Sequence, residues 1–415
     1  MPVIEDNARP VGLPIRTHAC KKSMSEPLNI RVLRTPRELE EIRNSWTSWQ
    51  DHPNSDLGFY LTVLRSRPEI LRPHVLVAYR DGQPDALLVG RIEDRHLDIK
   101  FGYATVFRPR ARILAVLRGG LLGNTSVENC CSFMRSIWNS LREREADLAF
   151  LSYVPVGSPL FAAASEPING HAGAKSTAAE NHRVASLPTD PDELWSRLST
   201  KVRKNLRWQA RKLLKDFSGK VRVVRFSGVS DLEGLIRDIE VVARKTYQRG
   251  LGGGFVNNEE MRQRLALAAL ENWLCAYVLY IDGAPRAFWI GTIYHGTFHS
   301  DYMGYDAGFG KYSPGMFLVM KGLEELAEHA PEYGVKQIDF GTGDAQYKEV
   351  LGTALWQDAS AYIFSPGLRG SSLRILWTST QILDRTARWV LDAGGRIPRI
   401  KKLWRTRART KLPLG

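Results

Sequence analysis

The chain has 415 residues, of which 43% are hydrophobic and 25% are charged, and its formal net charge is +14 at pH 7. This composition is typical of a soluble globular protein with room for two domains, and no apolar run approaches the roughly 20 residues that a membrane-spanning helix needs. The excess of positive charge favours a polyanionic partner, such as nucleic acid, a phosphate-rich co-substrate or an anionic membrane face.

The first 27 residues precede any patterned element. They carry two early acids and lack the apolar core of a secretory signal. We therefore predict a disordered leader over residues 1–27.

Two segments of the chain repeat each other at an offset of 201 residues. Val77–Ile92 and Val278–Ile293 align without gaps and share Val, Tyr, Asp, Gly, Pro, Ala, Gly and Ile at matching positions. Each predicts a strand, an Asp-Gly turn and a second strand, which is the pattern of a β-hairpin. The offset is about one domain length, so we interpret the repeat as a duplicated domain, although convergence of two common hairpins is the alternative.

A basic amphipathic segment lies between the two hairpins. Seven lysines and arginines and no acid occur from Lys201 to Lys215, opposite an apolar face. The pattern predicts one long helix over residues 190–217, or two helices that break near Ser199, with Asp190 and Glu193 as a capping box. The stretch Phe161–His182, which is rich in Ala, Ser and Gly, predicts the boundary loop.

The second hairpin is followed by a third strand, Thr297–Asp306, a glycine loop and a helix. His299 and Asp301 alternate along the strand and so face one side, as candidate substrate-binding residues or as surface decoration. In the loop, glycine amides and the amino end of the helix could hold a pyrophosphate, although a purely structural junction is the alternative. Ser313 is predicted as the N-cap residue and Pro314 as the first helical residue. The candidate anion-binding residues of this loop are Gly308, Gly310, Lys311, Tyr312, Ser313 and Gly315.

The next strand, Val335–Phe340, runs into the sequence QIDFGTGDAQYKEVLG. Its two glycines permit a sharp exit from the strand, which would leave Asp344 and Tyr347 projecting beside Lys348. A carboxylate and a phenol side by side could take a proton from an amine and return one to a leaving thiol. We therefore predict Asp344 and Tyr347 as catalytic and Asp339 and Lys348 as substrate-binding, with a helix N-cap as the structural alternative for Asp344.

The motifs "LSTKVRKNLRWQARKL" and "GKYSPGMFLVMKGLEELAEHAPEYGVKQIDFGTGDAQYKEVLG" resemble GNAT-superfamily acyltransferases of the CelD type. This type is associated with cellulose and exopolysaccharide biosynthesis and is related to the Fem aminoacyltransferases. The family pattern is a strand that ends in Asp-Phe, a Gly-x-Gly-Asp turn and a Tyr-Lys pair before Leu-Gly. The matching residues here are Asp339, Phe340, Gly341, Gly343, Asp344, Tyr347, Lys348, Leu351 and Gly352.

The resemblance implies an α+β fold of tandem GNAT-like domains, in which mixed, mainly antiparallel sheets are flanked by helices. It implies N-acyl transfer, with acetyl-CoA or another acyl-CoA as co-substrate and a small amine or amino-sugar as acceptor. The usual GNAT pattern places Arg or Gln where this chain has Tyr305, which leaves two donors open. The Fem relatives use aminoacyl-tRNA, so a tRNA-dependent transferase is one alternative. A non-enzymatic basic module that binds nucleic acid or an anionic membrane is the other.

These inferences divide the chain into a leader (1–27), an amino-terminal GNAT-like domain (28–189), a carboxy-terminal GNAT domain (190–365) and a basic helical tail (366–415). The tail carries eight basic residues and no acid from Arg396 to Lys411, which predicts peripheral contact with an anionic membrane. The four cysteines form no C-x-x-C pair, so no metal site is expected. We expect the protein in the cytoplasm or peripherally at the inner membrane.

Overall fold

The computed structural model describes residues 28–102, 104–167, 173–246, 249 and 253–393. The predicted leader and residues 394–415 of the predicted tail lie outside these residues. The helices are α1 (Pro36–Glu40), α2 (Arg43–Trp49), α3 (Leu57–Ser66), α4 (Val127–Arg142), α5 (Pro159–Ser165), α6 (Pro191–Ser196), α7 (Thr200–Asp216), α8 (Leu232–Ala243), α9 (Glu259–Leu270), α10 (Pro314–Glu328), α11 (Ala330–Tyr333), α12 (Gln346–Leu351) and α13 (Leu368–Ala393). The strands are β1 (Asn29–Leu33), β2 (Ile70–Pro73), β3 (Val75–Arg80), β4 (Gln83–His96), β5 (Ile99–Phe101), β6 (Ala104–Phe107), β7 (Arg110–Gly123), β8 (Leu148–Pro155), β9 (Lys175–Ser176), β10 (Glu180–Ser186), β11 (Val221–Phe226), β12 (Leu274–Ile281), β13 (Ala284–Tyr294), β14 (Thr297–Tyr305), β15 (Gln337–Thr342) and β16 (Ala354–Phe364).

The two repeated segments form the same hairpin. In β3–β4 the turn residues Asp81 and Gly82 have φ of 51° and 76°, and in β12–β13 Asp282 and Gly283 have φ of 53° and 76°. Positive φ at both turn positions matches the right-handed twist of the flanking strands, and the Asp-Gly pair tolerates it. The register shifts also occur at equivalent places, after Ala78 in one hairpin and after Leu279 in the other. The repeat in the sequence is therefore a repeat in the structure.

The two halves share one sheet. Its main path runs β1-β3-β4-β7-β8-β16-β10-β15-β14-β13-β12-β11. The centre is an exchange, because β16 of the second half pairs with β8 of the first, while β10 of the first half pairs with β15 of the second. Most pairs are antiparallel, whereas β7–β8 and β14–β15 are parallel. The expected mixed, mainly antiparallel sheet is thus confirmed.

Each parallel pair is short and then opens. The strands β14 and β15 pair over Thr297–His299 and Gln337–Asp339. In the first half, β7 and β8 pair from Ile113↔Leu148 to Val116↔Leu151. Beyond these last pairs the strands separate, so each half has a gap in its sheet. Backbone groups that border such a gap have no neighbouring strand on that side and can bind a ligand.

Helices cover both faces of the sheet in each half. In the first half, one core cluster lies under α4 and α5 and another under α1–α3. In the second half, α7 and α10 pack on one face and α8 and α9 on the other. Burial on both faces explains why β12 reads as a continuous apolar run, since all of its residues are buried.

The structure resolves the predicted basic segment into two helices. It breaks at Ser199, the N-cap residue of α7, whose side chain accepts a hydrogen bond from the Val202 amide. The predicted boundary loop is in part wrong, since Pro159–Ser165 is a helix and Glu180–Ser186 is a strand. Pairing with β16 and β15 specifies this strand from far along the chain, and local composition does not report such contacts.

Among the described residues, no helix is both long enough and apolar enough to cross a bilayer.

Candidate functional site

The gap between β14 and β15 opens beside a group of buried titratable residues. His299 and Asp339 form the last register pair of the two strands. Their side chains meet as well, with His299 Nδ1 3.5 Å from Asp339 Oδ2, and each side chain is 12% exposed. The predicted substrate-binding residues His299 and Asp339 therefore lie together, at the point where the sheet opens.

His182 of β10 lies next to this pair between two carboxylates. Its Nε2 is 2.6 Å from Asp339 Oδ1, and its Nδ1 is 2.7 Å from Asp358 Oδ2. The side chains of His182 and Asp358 are 3% and 2% exposed. Burial opposes the charged imidazole, but the hydrogen bonds to both aspartates outweigh burial and raise the pKa of His182. His182 thus links β10 to β15 and β16 through these two contacts.

Arg118 supplies a second cation from the first half of the chain. Its Nη2 lies 3.9 Å from Oδ2 of Asp339 and from Oδ2 of Asp358, against the His182 ring. Burial alone would raise the pKa of Asp339, yet hydrogen bonds from His182 and His299 and the charge of Arg118 hold that pKa well below its usual range. Asp339 also accepts the Gly341 amide at 2.6 Å. This carboxylate is therefore an orienting group rather than a proton acceptor.

His299 has one ring nitrogen engaged and one unengaged. Its Nε2 is buried and has no hydrogen-bond partner among the described residues. A buried polar atom of this kind is uncommon and calls for a ligand. The His52 ring lies opposite at 5.0 Å between ring centroids. Burial, reinforced by repulsion from His299 and Arg118, lowers the pKa of His52 to about 3, so this second imidazole is neutral at pH 7.

His52, His299 and Asp339 each offer a ligand atom within 4.8 Å of the others. The Nδ1 atom of His52 accepts the Asn54 amide at 3.1 Å, so the neutral ring carries its proton on Nε2. A metal-bound histidine usually donates from its second nitrogen, and here that nitrogen accepts. The nearby charge of Arg118 also opposes a cation, so the arrangement fits proton transfer better than metal binding.

The other predicted residues of the QIDFGTGDAQYKEVLG motif lie on and before α12. Lys348 Nζ donates to the Thr342 carbonyl at 2.7 Å, and burial lowers the pKa of Lys348 to about 8 despite the charge of Asp339. Tyr347 is half-buried, with its ring edge-on to Phe340 at 6.0 Å. Asp344 is exposed, and Asn181 Nδ2 lies 3.4 Å from its Oδ1. Helix α12 takes Ala345 as its N-cap residue, so Asp344 does not cap it.

Asp301 lies just beyond the opening of the sheet. The register between β13 and β14 shifts at this point, from Gly291↔Ser300 to Ile290↔Tyr302, which leaves Asp301 in a bulge. Its exposed carboxylate accepts the Thr292 hydroxyl at 2.8 Å. Asp301 is therefore near His299 on the same strand, but it is not part of the histidine–aspartate group.

The predicted glycine loop is a 3₁₀ helix, Ala307–Tyr312. Gly308 donates its amide to Asp306 Oδ1 at 3.0 Å, and Asp306 Oδ2 also pairs with Lys245 and Arg286. The expectation that the Gly308 amide turns toward an anion is therefore wrong for this conformation. Gly310 has open space around its Cβ position, and its φ does not require glycine. Lys311 lies over the Tyr312 ring at 4.8 Å.

The amino end of α10 remains uncapped. Ser313 occupies the predicted N-cap position with a left-handed φ of 50°, but its side chain makes no cap hydrogen bond. Pro314 has no amide hydrogen, so the Gly315 and Met316 amides are the first donors of the helix. Gly315 packs closely, since a Cβ there would lie 3.2 Å from the Tyr305 ring. Uncapped amides and the helix dipole together make this end attractive to an anion.

A groove of about 540 Å³ runs between α7 and α10 and reaches this helix end. It is lined on one side by Tyr312 and Ser313 and on the other by Lys204, Arg207 and Arg211 of α7. No acidic side chain among the described residues lies within ion-pair distance of the basic residues of α7, as the salt bridges show. The lining also contains Glu324, which pairs with Lys321 at 2.7 Å. The groove therefore combines the unpaired positive charge of α7 with uncapped amides.

The structure brings part of the predicted site together. The loop side chains Phe309 and Tyr312 and the α12 side chain Tyr347 border the same hydrophobic core cluster, so the two motifs belong to one half of the fold. The sequence reasoning missed Arg118, His182, Asp358 and His52. Gly119 and Gly120 within a strand were a signal for the bulge that presents Arg118. His182 lay in the stretch predicted as a loop.

Comparisons with known proteins concern the family of one segment and the fold of the chain. Residues 200–349 match the family described as Acetyltransferase (GNAT) domain. Among solved structures, FemX superimposes with a TM-score of 0.50 at 12% identity, covering 79% of this chain and 96% of that one. A conserved protein of unknown function from Bacteroides thetaiotaomicron gives 0.47 at 14% identity, over 78% and 97% of the two chains. A tandem GNAT protein from the clavulanic acid biosynthesis pathway gives 0.45 at 11%, over 82% and 99%.

A comparison with curated proteins finds no match. The family match covers the second half, which contains His299, Asp339 and the α10 end. The sheet exchange and the paired hairpins extend the same fold to the first half. Residues 200–349 therefore match the acetyltransferase domain of the GNAT family, and the chain has the fold of tandem GNAT-like halves.

Proposed function

We propose that the protein transfers an acyl group, most simply acetyl, from acyl-CoA to the amine of a small acceptor in the gap between β14 and β15. The observation that carries the proposal is His299, which is oriented through Nδ1 by Asp339 and presents a buried, unengaged Nε2 at the opening of the sheet. A histidine held by a carboxylate on one side and open on the other is the arrangement of a general base.

The donor would be held at the α10 end and in the α7–α10 groove. The Gly315 and Met316 amides suit a pyrophosphate, and Lys204, Arg207 and Arg211 suit the remaining phosphate charge. A volume of about 540 Å³ lies within the range of small-molecule sites. Of the predicted loop residues, Tyr312, Ser313 and Gly315 lie at this groove or at the helix end, so we keep them as donor-binding residues. Gly310 and Lys311 precede these residues in the chain, and we propose no direct contact between them and the donor.

In the proposed reaction the amine nitrogen attacks the thioester carbonyl carbon. His299 Nε2 takes the proton of the amine, the carbon–sulfur bond breaks and the electron pair leaves with sulfur. The thiolate then receives a proton, for which Tyr347 and Lys348 are the nearby candidates. Backbone amides of β14 past His299 border the gap and can stabilise the oxyanion. Alignment of the two substrates in the gap supplies a large part of the acceleration.

Asp344 is the other candidate base, as the sequence motif indicates. Its carboxylate is exposed and its one described contact is long. We therefore assign the base to His299 and keep Asp344 as the alternative that a variant can test.

The acceptor class rests on the resemblance to CelD-type enzymes, which points to an amino sugar of polysaccharide or cell-envelope metabolism. A tRNA-borne donor is the second candidate. Two features of α7 favour it, namely the unpaired cations and Trp208, whose side chain is 53% exposed. Both donors are polyanions, but tRNA engages many more phosphates. Binding of tRNA would therefore weaken far more steeply with salt than binding of CoA.

We also propose peripheral contact with an anionic membrane through α13. Leu373 and Trp377 face the protein, whereas Leu368, Ile375 and Ile382 are 92%, 66% and 58% exposed at seven-residue intervals. Such a stripe lies on one side of the helix, and the basic run from Arg396 to Lys411 follows it in the sequence. Two weak signals of this kind are needed for stable attachment.

The experiment for the proposed activity is thermal unfolding with acetyl-CoA, free CoA and inorganic pyrophosphate, followed by assay of thiol release with amino-sugar acceptors. A ligand at 100 times its Kd should add roughly 2.7 kcal/mol to the free energy of unfolding. Stabilisation by acetyl-CoA and amine-dependent thiol release are expected. Activity that requires charged tRNA and ignores acetyl-CoA would contradict the donor assignment.

A further inference from the structure

The first half contains its own cavity, at the gap where β7 and β8 separate. It measures about 330 Å³ and is lined by Leu117 and Arg118 of β7, by Ser152 of β8 and by residues of α3. Helix α9 of the second half closes one side with Glu260 and Arg264. The cavity therefore occupies the place in the first half that the proposed reaction gap occupies in the second.

The lining carries a marked excess of positive charge. It includes five arginines and two glutamates, which leaves three positive charges uncompensated within the lining. These residues are Arg67, Arg91, Arg95, Arg118, Arg264, Glu93 and Glu260. The arginine side chains are between 11% and 32% exposed, so water screens their charge only in part. Outside the lining, Glu69 pairs with Arg67 at 2.6 Å, and Asp339 and Asp358 lie 3.9 Å from Arg118. Arg91, Arg95 and Arg264 are left with Glu93 and Glu260 alone, and an anion that enters would complete the neutralisation of this partly buried cluster.

Glu93 fixes the geometry of the cluster rather than neutralising it. Its carboxylate lies 2.6 Å from Arg91, 2.6 Å from Arg95 and 3.8 Å from Arg67. Burial would raise the pKa of Glu93, but these arginines lower it, so one negative charge is shared by three guanidinium groups. On the opposite wall, Glu260 approaches its partners only to 3.9 Å and 3.8 Å. Guanidinium groups held in this way can offer further donors to a phosphate or carboxylate.

Two residues that line the cavity also contact the proposed reaction centre. Arg118 lines the cavity and also contacts the His182–Asp339 pair. Asn54 lines it as well, and its amide binds His52, whose ring faces His299. A small molecule anchored among the arginines could therefore extend an amine toward His299.

We infer that the acceptor carries an anionic group, a phosphate or a carboxylate, in addition to its amine, and that the arginine cavity of the first half binds that group. This inference rests on the proposed acyl transfer for the role of the bound molecule. A volume of about 330 Å³ fits a monosaccharide phosphate or an acidic amino compound and excludes a large polymer from the cavity itself.

The test compares probes that differ in one charged group. Glucosamine 6-phosphate, glucosamine, glucosamine carrying a carboxylate and inorganic phosphate are titrated into the full-length protein by calorimetry at two salt concentrations. Both anionic amines should bind at least about tenfold more tightly than glucosamine, with the advantage falling at higher salt. Preference for one of the two anionic probes identifies the group. Equal affinity for glucosamine and its phosphate overturns the inference.

Variants locate the binding. Arg264→Met removes a cavity arginine whose one described ion pair is long, and Arg237→Met removes an exposed arginine outside the cavity as its control. Arg264→Met should abolish most of the affinity advantage of glucosamine 6-phosphate over glucosamine, and Arg237→Met should leave that advantage unchanged. If Arg264→Met and a second cavity variant, Arg95→Met, both bind glucosamine 6-phosphate like the native protein, the inference is wrong. Circular dichroism checks folding, and the probe comparison on the native chain needs no variant.

Acetyl-CoA titration separates this inference from the proposed function. Binding of the phosphate probe without binding of acetyl-CoA would overturn the acyl-CoA reaction and leave the anion cavity standing. Binding of acetyl-CoA together with equal use of neutral and anionic amines would support the acyl-CoA reaction and overturn the anion cavity.

Discussion

His299 and Asp339 show how one carboxylate can serve several partners without being the reactive group. Asp339 accepts hydrogen bonds from His182 and from a backbone amide and lies beside His299, so its own proton affinity is very low. The basic nitrogen of the site is then His299 Nε2, which is buried and unengaged. The candidate proton acceptor is therefore His299 Nε2, which makes no hydrogen bond to a described residue, and not the Asp339 carboxylate, which already accepts several.

Replacing His299 by Gln should lower kcat by about 10²–10⁴, because the amine loses its general base. The affinity for acetyl-CoA should stay within about twofold, since the donor groove is elsewhere. Steady-state kinetics and calorimetry on the two proteins measure this. Asp344→Asn is the matched variant and should retain most activity. A large loss in Asp344→Asn with little loss in His299→Gln would reverse the assignment of the base.

Lys348 should make the reaction depend on pH near its own pKa. Burial lowers the pKa of Lys348 to about 8, so the side chain is protonated below that pH and neutral above it. If the ammonium group stabilises or protonates the leaving thiolate, the rate should fall as pH rises through about 8. The pH profile of kcat measures this, and Lys348→Arg should shift the fall upward beyond pH 9 because the guanidinium stays charged. An identical profile in both proteins would exclude Lys348 from the step.

Sequence alone identified some of these residues and missed others for a physical reason. Asp339 and Lys348 lie in one continuous motif, so their proximity follows from local spacing. His182, Asp358 and Arg118 come from three strands that meet through pairings far apart in sequence. No local pattern marks a histidine as the partner of two distant aspartates.

Helices α7 and α10 form the proposed donor groove, and each was predictable as an element. Helix α10 has an apolar periodicity and Pro314 at its first position, and α7 begins at a serine cap. Their contact was not predictable, because the groove depends on how both helices pack against the sheet. The glycine loop was misjudged at this scale, since glycines suggested an open anion nest and the structure forms a capped 3₁₀ helix.

The double variant Arg207→Met/Arg211→Met should weaken acetyl-CoA binding by about 10- to 100-fold at low salt, because two charge-assisted contacts are lost. The difference from the native protein should shrink as salt is added. Lys201→Met is the control, since Lys201 lies on the same helix but does not line the groove. Equal affinity in the double variant and the control would place the donor somewhere else.

At the scale of the whole molecule, the exchange of β10 and β16 joins the halves into one sheet. The repeated hairpins made the tandem architecture predictable, but the exchange is a long-range pairing that composition does not encode. His182 lies at this junction and has a raised pKa in the folded protein. Its contribution to the free energy of unfolding is complete below the pKa of the unfolded chain, near 6.5, and is lost as pH rises through the pKa of the folded protein.

A second buried histidine should make the fold sensitive to acid. His74 is fully buried, its Nε2 lies 3.2 Å from the Ser140 hydroxyl, and burial lowers its pKa to about 4. The unfolded chain binds a proton at His74 more readily than the folded chain does. The contribution of His74 to the free energy of unfolding is therefore complete above about pH 6.5 and is lost as pH falls toward 4. Native protein should lose on the order of 2 kcal/mol from this group over that range.

Chemical unfolding at pH 7 and pH 5 measures this dependence. His74→Gln should show a smaller loss between the two pH values, whereas His295→Asn, at an exposed turn, should match the native protein. Equal slopes for His74→Gln and native protein would mean that another group governs acid sensitivity.

The decisive measurement for acyl transfer at His299 is a crystal structure with acetyl-CoA and an unreactive acceptor analogue. We expect the pyrophosphate at the amino end of α10, the thioester in the gap between β14 and β15, and the acceptor nitrogen within hydrogen-bond distance of His299 Nε2. Acetyl-CoA bound in the gap between β7 and β8, or an acceptor nitrogen far from His299, would contradict this expectation.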